Sequence, residues 1–365
     1  MDYAREMIYL AGCAVNGVAP DKSRVEGVDI ERLMRFAKAH MISAIVAHGL
    51  LSAGVKNDSL TQAEAKAMRR AVILEAEYAK LSDAFESAGV WHVPLKGTVL
   101  KGCYPAFWMR EMSDIDILFD GPRQYDVREI MRGLGFKVKD FGTFHHDVYC
   151  KPPALNVEMH HELFGSWPDP LLYEYYSAIT DKLLPDDGKK YARHLSPEDF
   201  YVYMTAHAYK HYSDYGTGIR SVIDSYVYLR KFSGVLDMEY ISREAMKLGI
   251  SEFEAGMRSL AVNLFGGGKL TAENESMLEY IISSGIYGTV DHSIMNTMKK
   301  NGGGMSGKMK YILGKIFPPL EKVKARYPFY YKHKYLYPVF VVCQLVKNLI
   351  MKRKTIASAL RALFG

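Results

Sequence analysis

The chain has 365 residues, 48% of them hydrophobic and 24% charged, a balance that fits one to three globular domains and excludes a disordered chain. No window approaches the roughly 20 uninterrupted apolar residues of a membrane span, so an integral membrane protein is not expected. The net charge of +6 is unevenly spread: from His292 onward 15 Lys and Arg face one acid, Glu321, whereas the first 291 residues carry 32 basic against 40 acidic side chains. The basic field therefore belongs to the tail, which argues against a nucleic-acid-binding body.

Asp2 and Glu6 stand where a signal peptide carries positive charge. Cys13, Cys103, Cys150 and Cys343 form no CxxC pair, so neither a zinc knuckle nor a disulfide framework is indicated. A cytoplasmic location is the expectation.

Residues 1–89 read as a helical region. Leu33, Phe36, Ala37, Met41, Ile45 and Val46 recur at helical spacing, and Ala63 to Ala88 is rich in strong helix formers. At Val90 the texture changes to short β-rich runs, VWHVPLKG, SDIDILFD, FKVKDFG, FHHDVYC and LNVEMHHEL, with one helical pattern between Pro122 and Leu134. Residues 90–195 thus read as a mixed α/β core. Ser196-Pro197-Glu198-Asp199 then has the hydroxyl cap, first-turn proline and early acids of a helix start, opening a helical domain over 196–290. Residues 291–365 form a basic C-terminal region. Within it Val342, Leu345, Val346, Leu349, Ile350, Ile356, Leu360 and Leu363 lie at helix spacing among Lys347, Lys352, Arg353, Lys354 and Arg361. Such a basic amphipathic helix suits docking on the acidic body, contact with an anionic membrane surface, or a nucleic-acid backbone. The fold class expected is α+β, with helical regions on both sides of the core.

The chemistry concentrates in LKGTVLKGCYPAFWMREMSDIDILFD, residues 95–120. If Ser113 to Phe119 is a strand, Asp114 and Asp116 share one face and Ile115, Ile117 and Phe119 the other. Adjacent carboxylates call for a cation between them, and oxygen-only donors suit Mg2+ or Mn2+ bridged to a phosphate. Upstream, Val93 to Lys96 reads as a strand turning at Gly97-Thr98 into a short helix, where backbone N–H groups approach phosphate oxygens. Downstream, Glu158 in Leu155 to His160 adds a third carboxylate. The set is the arrangement needed for two-metal nucleotidyl transfer.

Lys96-Gly97, Arg110, Ser113-Asp114-Ile115-Asp116-Ile117-Leu118 and Val157-Glu158-Met159-His160 resemble the DNA polymerase β-like nucleotidyltransferase superfamily and, within it, the uncharacterised nucleotidyltransferases of bacteria. The resemblance covers residues 30 to 265, including the helix with His207 and His211 and the later Arg220 and Asp224. It implies a minimal catalytic core with a mixed sheet. Gly97-Thr98 departs from the usual Gly-Ser or Gly-Gly, and the gap to Asp114 is long.

Lys96 and Arg110 are candidates for triphosphate neutralisation, against a surface role or, for Arg110, an ion pair with Glu111. Ser113 joins the nucleotide-binding candidates. His207 and His211 share a helix face, but Ala208 stands where HExxH needs Glu, so zinc is not expected and the face is read as covering the cleft, with Lys210 or His211 touching nucleotide or acceptor. His145, His146, His160 and His161 lie on strands and should alternate sides.

The expected activity is transfer of a nucleoside monophosphate from an NTP to an acceptor that the sequence leaves open among protein, RNA, sugar and small molecule. Asp114, Asp116 and Glu158 would hold the metals, and Asp116→Asn would stop turnover without disturbing the fold. The alternatives are a toxin-like tRNA nucleotidyltransferase and a non-catalytic nucleotide-binding module linked to envelope polysaccharide production at a membrane surface.

Overall fold

In the computed structural model the described residues are 2–285, 294, 296–297 and 304–351. The centre is a five-stranded mixed sheet of order β1-β2-β5-β4-β3, built from β1 (His92–Pro94), β2 (Ile115–Phe119), β3 (Lys137–Asp140), β4 (His146–Lys151) and β5 (Leu155–His160). All five fall in the β-rich runs. Only β2 and β5 pair in parallel, with Ile115 opposite Val157 and Asp116 opposite Glu158; the other pairs are antiparallel.

The two-residue period of the strands sorts the faces. Ile115, Ile117, Phe119, Val157 and Met159 are buried with Leu74, Leu81 and Phe85 of α5 (Asp58–Ala88) and Val127 and Met131 of α7 (Gln124–Gly133). The opposite face carries Asp116, Glu158 and His160. Helix α5 runs for 31 residues because Asn57 caps its start, good helix formers fill it, and Gly89 ends it at φ +68°.

Ahead of α5 lie α1 (Tyr3–Asn16), α2 (Lys22–Val25), α3 (Ile30–Ala39) and α4 (Ser43–Ser52), and α6 (Gly97–Leu100) follows β1. Beyond the sheet come α8 (Pro170–Tyr176) and a small hairpin of β6 (Leu183–Pro185) and β7 (Arg193–Leu195), which no strand pattern announced. Then follow α9 (Pro197–Asp214), α10 (Ile219–Lys231), α11 (Met238–Lys247), α12 (Ser251–Phe265) and α13 (Ala272–Ser284). Helix α9 begins as expected, with the Asp199 amide donating to Ser196 Oγ at 3.0 Å and Pro197 in the first turn. Helices from before and after the sheet share one apolar core, in which Leu10, Leu33 and Ile45 join Val222, Ile223 and Leu260.

The proline- and tyrosine-rich stretch after Phe317 forms short helices, Leu320–Arg326 and Pro328–Lys332, before the helix Tyr337–Met351. In that last helix Phe340 and Val341 are buried, while Val342, Val346, Leu349 and Ile350 of the anticipated apolar stripe are exposed. Lys352, Arg353, Lys354, Ile356, Leu360, Arg361 and Leu363 lie outside the described residues. Among the described residues, no helix is long and apolar enough to cross a membrane.

Ile117 is fully buried between the sheet and α5. Ile117→Ala should cost about 2–5 kcal/mol of unfolding free energy, read as a lower urea midpoint at unchanged slope.

Candidate functional site

A cavity of about 370 Å³ opens between the polar face of the sheet and helices α9 and α10. Lys96, Gly97, Asp114, Asp116 and Glu158 line its sheet side, Arg110 and Ser113 its loop side, and Tyr203, His207, His211, Arg220 and Asp224 its helical side.

The carboxylates come together through strand register: Asp116 sits directly opposite Glu158 on the parallel neighbour. Lys96 Nζ lies 2.6 Å from Asp116 Oδ1 and 3.8 Å from Glu158 Oε2, and His160 Nε2 lies 3.0 Å from the same Asp116 oxygen. Asp116, Glu158 and His160 each offer a ligand atom within 4.8 Å of the others. Asp114, at the turn into β2, lines the cavity beside this set.

Burial pushes the Asp116 carboxyl up, but Lys96 and His160 outweigh it and hold it well below its ordinary value. Burial likewise opposes the Lys96 charge, and Asp116 and Glu158 together hold the ammonium above its usual range. Glu158 carries the remaining cost of crowding: burial and then the Asp116 charge raise it to about 7. Burial followed by the Asp116 charge also raises Asp114. Lys96 supplies the ammonium within ion-pair distance of Asp116 and Glu158.

Lys96 reaches this place from a strained backbone, φ +48° and ψ −121°, a conformation that costs a non-glycine residue about 1–3 kcal/mol. Gly97 is needed for close approach, since a Cβ there would stand 2.6 Å from Met112 Sδ and 3.6 Å from Arg110 Nη1. The anticipated phosphate cradle is narrower than the sequence suggests. The amides of Thr98 and Leu100 already donate to the carbonyls of Leu95 and Lys96, and Thr98 does not line the cavity.

Arg110 is paired with Asp224 of α10, Nε to Oδ1 at 2.6 Å, and not with Glu111. Tyr104 donates its hydroxyl to the same Asp224 oxygen at 2.6 Å. Glu111 instead accepts from the Ala44 amide at 3.1 Å, at the start of α4, which itself has no side-chain cap. Asp224 therefore makes its direct ion pair with Arg110 and acts on Arg220 only through its charge, although the two are four residues apart on one helix. Arg220 Nη1 donates to the Glu111 carbonyl at 3.2 Å and lies 3.3 Å from Met41 Sδ, and it has no carboxylate within ion-pair distance among the described residues. Burial lowers its guanidinium to about 10, so it is still charged at neutral pH. Arg220 is the cavity cation that spacing alone missed, because i, i+4 with Asp224 reads as a closed pair.

Lys210 does not line the cavity, its ammonium lying 5.7 Å from the Phe164 ring centre, but it stays within electrostatic reach of Lys96 and Glu158. His207 and His211 do face the cavity, with ring centres 4.7 Å apart. Burial holds His207 neutral and lowers His211 to about 4. Of the four histidines expected on strands, His145 and His161 lie in bends just outside β4 and β5. His145 precedes β4 in a bend, so its ring meets His146 at 4.6 Å where strict alternation would separate them. Arg70 of α5 was also unannounced: it donates to the carbonyls of Ser113 and Ala154 at 2.6 and 2.7 Å, tying together the entries to β2 and β5.

The sequence model of the family described as "Uncharacterised nucleotidyltransferase" matches residues 26–266. With that span covering most of the chain, the protein belongs to this nucleotidyltransferase family. No curated protein and no solved structure matches the chain.

A raised carboxyl fixes the sign of one pH dependence. Unfolded, Glu158 ionises near its ordinary value of 4.5, whereas folded it stays protonated until about pH 7, so its ionisation erodes stability as pH rises between the two. In chelator, the carboxyl carbon resonance of Glu158 should titrate with a midpoint near 7. Asp116→Asn should bring the midpoint down while leaving it above 4.5, because the burial contribution remains.

Proposed function

We propose that this chain is a polymerase β-like nucleotidyltransferase that moves a nucleoside monophosphate from an NTP to a hydroxyl-bearing acceptor and releases pyrophosphate. The observation that carries this reading is the division of one cavity: Asp114, Asp116 and Glu158 on the sheet side face Arg220 on the helical side. An NTP bound with a divalent cation has the complementary division, a cation for the carboxylates and phosphate oxygens for the arginine.

The donor set fits such a cation. Two carboxylates in register with a third at the strand entry give hard oxygen ligands, and Lys96 already holds positive charge against Asp116. Asp114, Asp116 and Glu158 would hold Mg2+ or Mn2+, in a one- or two-ion arrangement, and the metal would neutralise triphosphate charge and lower the pKa of the attacking hydroxyl.

The chain's own groups do the rest. The acceptor oxygen bonds to the α-phosphorus, the bond from that phosphorus to the bridging oxygen breaks, and pyrophosphate leaves. Glu158, as a ligand of the acceptor-side metal, would help position the acceptor hydroxyl, whose proton passes to solvent. Lys96 and Arg220 hold phosphate oxygens, Arg220 through a planar fork suited to two of them. Arg110 is a positioning residue, committed to Asp224 and Tyr104.

The test is pyrophosphate release from each NTP with Mg2+ or Mn2+ and a cell extract as the acceptor pool. Asp116 is nearly buried and paired with both Lys96 and His160, so Asp116→Asn lowers stability as well as turnover, contrary to the expectation of a neutral change to the fold. Asp114→Asn and Glu158→Gln are the cleaner variants. Both should lose pyrophosphate release while keeping the wild-type circular dichroism spectrum. Arg220→Ala should raise KM for the NTP by about 10- to 100-fold, the worth of one charged hydrogen-bonding partner. Release that survives Asp114→Asn and Glu158→Gln would refute the reading.

A further inference from the structure

Beside the carboxylates, the start of β4 and the end of β5 bring three imidazoles together, and nucleotidyl transfer gives His145 and His146 no role. His146 lies opposite His160 in the antiparallel register, and His145 folds in from the bend before β4. Ring centres are 4.6 Å apart for His145 and His146, 4.9 Å for His146 and His160, and 5.9 Å for His145 and His160. Each ring offers a nitrogen within 4.8 Å of a nitrogen on the other two.

Two features separate this group from ordinary packing. First, Nδ1 of His146 and Nδ1 of His160 are buried and have no hydrogen-bond partner among the described residues, although a buried ring nitrogen normally finds one. The His160 side chain is only 3% exposed. Second, the Asp116 carboxylate accepts from His160 Nε2 at 3.0 Å, which assigns the proton to Nε2 and leaves Nδ1 with a lone pair. A carboxylate on the far nitrogen is how a metal-bound histidine is oriented.

We propose that His145, His146 and His160 bind a borderline transition-metal ion such as Zn2+ or Co2+, at a site distinct from the oxygen donors that suit Mg2+. Imidazole selects these ions over Mg2+. A tetrahedral ion with bonds near 2.1 Å needs its nitrogens about 3.4 Å apart, which modest ring rotations supply. Glu158 Oε2, 3.9 Å from His146 Nε2 and 3.6 Å from His160 Nε2, stands between the two kinds of donor.

The experiment uses the full chain, stripped with chelator and free of nucleotide, so it is independent of whether the protein transfers nucleotides. Titration with Co2+ should saturate at one equivalent with the intense visible bands of a low-coordinate ion, and Zn2+ should abolish them while a large excess of Mg2+ should not. His146→Gln and His145→Ala should each weaken binding by more than the roughly 10- to 100-fold typical of losing an outer-shell partner. His194→Ala, at a partly exposed histidine paired with Asp186, should leave binding unchanged. The bound ion should raise the wild-type melting temperature and not that of His146→Gln. A wild-type chain that takes up no Co2+, Co2+ displaced by Mg2+, or equal binding by His146→Gln and His145→Ala would each overturn the proposal.

Discussion

The parallel pairing of β2 with β5 is the constraint on which the rest depends. It sets Asp116 opposite Glu158 and, one step over, Ile115 opposite Val157 and Ile117 opposite Met159. A slip of one residue would turn Glu158 into the apolar layer under α5 and lift its neighbours into the cavity. Burial of Ile115, Ile117, Val157 and Met159 therefore enforces the carboxylate geometry. Arg70 reinforces it from α5 by holding the carbonyls of Ser113 and Ala154 just before the two strands. The apolar face stabilises the fold, and the polar face inherits its precision.

That polar face is costly to maintain. A buried ion pair is weak evidence for stability, because desolvation cancels much of the attraction. Here the pair also demands a lysine backbone in a conformation that glycine would adopt more readily, while the glycine of the Lys-Gly pair sits next door where Met112 leaves no room for a side chain. Strain, buried charge and a carboxyl raised to neutrality at one point describe a site arranged for something other than stability.

How much of this was legible follows from where the periodic rules apply. The β-rich runs, the capped start of α9 and the two faces of Ile115 to Phe119 rest on spacing and on local hydrogen bonds, and the structure has them, with Ser113 and Asp114 in a bend just before the strand. The hairpin of β6 and β7 was not legible, because Leu183–Pro185 and Arg193–Leu195 contain no Val, Ile, Thr, Phe, Tyr or Trp. The carboxylate of Glu158 could be named from its strand, whereas its raised pKa depends on burial and then on Asp116 lying directly across, both facts of the tertiary fold. His145 was misread because a rule for strands was applied one residue before the strand begins. His207 and His211, one turn apart on α9, line the cavity, whereas Lys210 lies off its lining.

The long-range charge pairing has the largest consequence. On an isolated helix Arg220 and Asp224 would neutralise each other. The fold instead brings Arg110 and Tyr104 from the loop before β2 onto Asp224, and uses the Glu111 carbonyl and Met41 to hold Arg220. The loop that carries Arg110 and Glu111 thus satisfies one charge of α10 and leaves the other pointed at the cavity, while the Glu111 carboxylate accepts from the start of α4. This loop adds a polar link to the apolar core that helices before and after the sheet already share. Under the proposed function, a nucleotide held between Asp114, Asp116 and Glu158 on one side and Arg220 on the other would touch this loop, α10 and Met41 together.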